Sequence, residues 1–134
     1  MALLREQVGE LIKNEYSIIP SPAVLWNDEY RELQGVVPII KTYSVGTNAM
    51  MKGLGYTHRK VLNHLTVDIK CRGAQNAHNA KDEVIRILGK HRKSPFTGYD
   101  IIEFDDGTQH AGYSGFYWWT VEVKVWTIRK PVQE

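Results

Sequence analysis

Apolar and polar positions change period several times along this chain, and each change predicts an element. Leu3, Leu4, Val8, Leu11 and Ile12 recur at helical spacing, with Arg5, Glu6, Glu10 and Lys13 on the other side. Asn14 suits the end of that helix and Pro20 and Pro22 bar its continuation, so the spacing predicts a helix over 2–14. Two short apolar runs, 23–26 and 36–40, read as strands. Pro38 has no N–H for a ladder, which sends the second run to an edge or a bulge. Periodicity is then lost over 42–60, where the run Tyr43 to Asn48 and the Gly53-Leu54-Gly55 triplet predict a long loop. A loop of that length in a compact domain is commonly functional or ordered by a partner.

Alternation returns from Val61 to Arg72. Val61, Leu65, Val67, Ile69 and Cys71 share one face, broken only by Asn63, while Leu62, His64, Thr66, Asp68, Lys70 and Arg72 take the other. After Gly73 the period becomes helical, with Ala77, Ala80 or Lys81, Val84, Ile85 and Leu88 on one side and Gly89 as a stop signal. A strand over 99–104 enters the turn Asp105-Asp106-Gly107. In the last strand, 116–128, Tyr117, Trp119, Val121, Val123 and Val125 oppose Phe116, Trp118, Thr120, Glu122, Lys124 and Trp126. The tail 130–134 reads as frayed. The order is α-β-β-(long loop)-β-α-β-β. Few helices intervene between strands, so the expected fold is α+β, one domain over 1–134 with two helices packed on a mainly antiparallel sheet.

Composition narrows the class. At 134 residues the chain can bury one real core without staples, and its single Cys71 forms neither an internal disulfide nor a thiolate zinc site. Lys+Arg number 17 against 15 Asp+Glu, a net charge of +2 that gives no whole-protein field for nucleic acid. No apolar run approaches the ~20 residues of a membrane span. The expectation is a soluble protein of a reducing compartment.

Reactive chemistry finds little support. His64 and Asp68 share a strand face, but four residues of strand separate them by roughly 13 Å, too far to ligate one ion directly. Cys71 continues an apolar strand face, where a buried inert thiol is the ordinary reading. Glu103, Asp105 and Asp106 beside Gly107 describe a solvated turn as well as a cation site. Gly53-Leu54-Gly55 is a fragment of a phosphate-binding fingerprint and lacks the third glycine. Neither an enzyme nor a cofactor or metal protein is expected.

Association has more in its favour. Four Trp and seven Tyr are present, and Trp118 and Trp119 must face opposite sides of their strand. If one enters the core, the other needs a second cover, and such aromatics anchor interfaces. The candidate interface residues are Tyr43, Met50, Met51, Lys52, Leu54, Tyr56, Arg59, Lys60, Trp118 and Trp126. Two basic clusters, one at 52–60 and one at 90–93, keep a nucleic-acid-binding reading open.

The arrangement resembles the tail-terminator and tail-completion (head–tail joining) proteins of long-tailed bacteriophages. The likeness rests on a short amphipathic helix, then Leu65-Thr66-Val67-Asp68-Ile69-Lys70 leading into a helix from Asn76 to Leu88, then the closing strand from Phe116 to Ile128. It implies a virion structural protein without enzymatic activity, located in the tail–neck region. Relatives form rings, commonly hexamers, that cap the tail-tube protein and meet the connector under the head. DNA passes through the lumen of such a ring without sequence-specific binding. Under this reading 42–60 orders on assembly against a neighbour, the tube or the connector, with Lys52, Arg59 and Lys60 meeting acidic residues or lining the passage. Other readings are another neck or tail-tube subunit, or a small nucleic-acid-binding or ligand-binding domain.

Overall fold

In the computed structural model, residues 3–26, 37–52, 58–110, 112 and 115–129 are described, those at 47–52, 58–60 and 128–129 by backbone alone. The elements are α1 (Leu4–Glu15), β1 (Ala23–Leu25), β2 (Ile39–Lys52), β3 (His58–Arg72), α2 (Ala74–Lys90), β4 (Lys93–Phe96), β5 (Tyr99–Phe104), β6 (Thr108–His110) and β7 (Phe116–Arg129). The strands form one seven-stranded sheet in the order β1-β2-β3-β7-β5-β4, with β6 also on β7. Every pairing is antiparallel except β1 with β2. The fold is therefore α+β, with both helices on one face of a mostly antiparallel sheet.

The core follows the alternation of β3 and β7. Leu65, Val67, Ile69 and Cys71 are fully buried, and the register sets Leu65 opposite Val123, Val67 opposite Val121 and Ile69 opposite Trp119. Val8 and Ile12 of α1 and Ala80, Val84, Ile87 and Leu88 of α2 cover that face. Gly9 lets α1 approach closely: a Cβ there would lie 3.0 Å from the Trp26 ring and 3.3 Å from Thr42 Oγ1. Thr42 Oγ1 in turn donates to the Arg5 carbonyl at 2.7 Å. A polar lock joins the two helices, because buried Glu83 accepts from the backbone N–H and hydroxyl of Ser17 and from Arg86.

Two expectations need correction. Residues 42–60 are not one long loop. Residues 42–52 complete β2 and 58–60 begin β3, paired antiparallel from Ile39 opposite Lys70 to Lys52 opposite His58. The reason is a bulge at Val45, between the Ser44 and Gly46 pairings. One extra residue shifts the register of all that follows by one, so a period of two fails across a strand that is continuous. The Gly53-Leu54-Gly55 triplet, Tyr56 and the tail 130–134 lie outside the described residues. Secondly, α2 runs through Gly89 to Lys90, and its buried stripe includes Ile87, with Ile85 only partly covered. Two further short strands, β4 and β6, occupy segments that carry no periodic signal.

Candidate interface on the helix-free face of the sheet

From Leu62 to Arg72 the even-numbered positions of β3 lie on the face that no described helix covers. The register aligns them with partners on both sides: Tyr43, Thr66 and Glu122 in one row, and Lys41, Asp68 and Thr120 in the next. A third row holds Ile39, Lys70, Trp118 and His110, and beyond it Arg72 faces Phe116. At the opposite end of the face, Leu62, Trp126 and Ile101 form an apolar row.

Cross-strand contacts tie these rows together. The His110 and Trp118 rings lie 4.7 Å apart, Lys70 Nζ stands 4.9 Å over the Trp118 ring, and Arg72 stands 4.7 Å over Phe116. Trp118 is thus flanked by an imidazole and an ammonium. Its indole N–H is shielded and meets no acceptor among the described residues. Its chain neighbour Trp119 lies on the helical face, under Lys81 Nζ at 4.7 Å and against the edge of His78 at 5.8 Å. The alternation thus separates the two indoles, and each finds its own cover.

The middle of the face is a hydrogen-bonded relay. Thr120 Oγ1 donates to Asp68 Oδ1 at 3.1 Å and lies 2.8 Å from His110 Nε2. The hydroxyl proton is committed to the carboxylate, so His110 Nε2 must donate to Thr120. That order is the reverse of what an activated nucleophile needs, where the imidazole accepts from the hydroxyl. Thr66 Oγ1 donates to Glu122 Oε2 at 3.3 Å. Tyr43 leans on this network: burial and the Asp68 carboxylate both push its phenol above the usual range.

The candidate interface residues divide into three zones. Trp118 belongs to the aromatic end just described, and Tyr43 to the central network. Met50 pairs with Lys60, Met51 with Arg59 and Lys52 with His58 in the β2–β3 hairpin, with Trp126 at its base opposite Leu62. Leu54 and Tyr56 lie outside the described residues. Sequence reasoning missed His110 and Lys70 as neighbours of Trp118, since only the β3–β7–β6 register brings them together.

Other candidate chemistry has ordinary roles. Asp105 Oδ1 accepts from the backbone N–H of Gly107 at 3.0 Å and of Glu122 at 3.1 Å, closing a turn whose Gly107 has φ +90°. Cys71 is buried, and desolvation pushes its thiol up. Among the described residues no group of three His, Cys, Asp or Glu is placed to hold a metal ion. The basic run after α2 is engaged internally: Lys90 and His91 both meet the Glu15 carboxylate, and Arg92 stands 5.1 Å over Phe104. No described helix is long and apolar enough to cross a membrane.

No protein-family model matches this chain, and neither does any curated protein sequence.

Proposed function

We propose that this protein is a virion structural protein of a long-tailed bacteriophage. In this reading it is a tail terminator or head–tail joining protein that closes into a ring, a hexamer, between tail tube and connector. The reading starts from the sequence resemblance, and the observation that carries it further is the helix-free face. Trp118 and Trp126 stand toward its two ends; Lys41, Asp68, Glu122, Glu103 and Lys124 lie between them, with Lys70 beside Trp118 and Arg72 one row beyond it.

A face with aromatic anchors and balanced charge suits a protein partner. It does not suit DNA, whose binding calls for a stripe of one sign. A ring around DNA needs contact with its neighbours and little grip on its cargo, and this balance supports both. The hydroxyl–carboxylate order at Thr120 supports an assembly role over catalysis.

Quantitative mass spectrometry of purified infectious particles tests the reading. One small ring per particle, measured against the major capsid protein, is the expected ratio. Hundreds of copies would make the chain a tube subunit instead. Absence from clean particles would overturn a structural role, and salt-dependent DNA affinity would then be the next measurement.

A further inference from the structure

The two long sides of the sheet are built differently. On one side β4 is only four residues long and is broken by a register irregularity, by Pro95 and by Ser94 at φ +48°. Such an edge cannot continue a ladder. On the other side β1 pairs with β2 only over Ile39–Lys41. From Thr42 to Lys52 the outer side of β2 has no strand partner among the described residues. This open stretch contains no proline, and no charged residue before Lys52. Among the described residues its protection is the bulge at Val45, whose side chain is 59% exposed, and the charge of Lys52 at its end. A long neutral edge with free N–H and C=O groups is a template for strand addition.

We infer that the outer edge of β2 is occupied by the same edge of a second copy, antiparallel, about a two-fold axis. Self-pairing is favoured by the charge pattern: full overlap sets Lys52 near Thr42 of the other copy, so like charges stay apart. The closed β4 edge gives the pairing its limit. With one long receptive edge among the described residues, self-pairing stops at two and does not run on into a fibre. The assignment stands apart from the particle reading, since it concerns the free protein.

Hydrogen exchange and a cysteine scan test it together. In free protein at high concentration, amides of 42–52 exchange at least tenfold more slowly than in dilute protein, and the sedimenting species has twice the mass of one chain. Under mild oxidation Thr47→Cys, near the two-fold axis, forms a covalent dimer, while Lys52→Cys does not. Replacing Thr47 and Asn48 together by Lys sets like charges against each other across the axis. That variant should weaken the dimer at least tenfold and leave the circular dichroism unchanged. A monomer at every concentration would overturn the inference, as would a dimer whose 42–52 amides exchange at the dilute rate. Either result leaves incorporation into particles to be judged on its own.

Discussion

Ser17 gives both its backbone N–H and its hydroxyl to one oxygen of Glu83, each at 2.6 Å. The two residues are 66 positions apart, and their contact fixes the chain leaving α1 onto α2. Arg86 completes the lock, with Nε 2.6 Å from the other Glu83 oxygen and a second nitrogen donating to the Glu15 carbonyl at 3.0 Å.

Those donors set an acid limit on stability. The Arg86 guanidinium and the Ser17 donors outweigh burial and hold the Glu83 carboxyl down to about 2, against an ordinary 4.5. A carboxylate with a depressed folded-state pKa stabilises fully above its unfolded pKa, and that share is lost as pH falls through the folded value. Wild-type stability should therefore decline between about pH 4.5 and about pH 2. Glu83→Gln should cost about 2 kcal/mol at neutral pH and remove that part of the decline. Urea unfolding at several pH values checks both; an unchanged slope in the variant would refute the assignment.

Trp118 and Trp119 should separate stability from assembly. Trp119 packs against the core under α2, so Trp119→Ala should cost about 3 kcal/mol in denaturant unfolding. Trp118 lies on the helix-free face, against the His110 ring and under Lys70. Trp118→Ala should cost about 1 kcal/mol or less and, under the proposed virion role, reduce incorporation into particles at least tenfold. Equal stability losses with normal incorporation would count against that face as an interface.

Gly9→Ala should be unfavourable although alanine is the better helix former. The intrinsic gain is about 1 kcal/mol. The new methyl would meet Trp26 at 3.0 Å, Thr42 at 3.3 Å and Val24 at 3.4 Å, so three neighbours must yield together. A net loss of about 1 kcal/mol is expected. Thermal melting measures it, and a raised melting temperature would mean that α1 can lift from β2 without penalty.

Thr120→Val keeps the side-chain shape and removes the hydroxyl between His110 and Asp68. The loss should be about 1 kcal/mol. Nitrogen NMR of His110 should report a proton on Nε2 in the wild type. The opposite tautomer would reverse the hydrogen-bond order and reopen Thr120 as a nucleophile.

Much of the fold was legible where one face is buried and the period is unbroken. The alternation of Leu65, Val67, Ile69 and Cys71 predicts the central strand because a helix covers those positions. The same reading fails at 42–52, where one bulge at Val45 shifts the register by one. Gly89 reads as a helix stop, yet it lies on an exposed side of α2, where a glycine is tolerated at modest cost. Of the candidate site, the opposed placement of Trp118 and Trp119 follows from strand geometry alone. Their neighbours do not, since the strand register that sets His110 beside Trp118 was not readable from either segment.

The register between β3 and β7 also sets an order of events during synthesis. Leu65 waits for Val123 and Ile69 for Trp119, partners that emerge from the ribosome some fifty residues later. Until then the β2–β3 hairpin and α2 exist with the inner flank of β3 unpaired. Pairings so distant in sequence make folding slow and leave the nascent chain adhesive. Chains truncated before Phe116 should thus be chaperone clients, and β7 acts as the closing step that makes the newborn molecule safe to release.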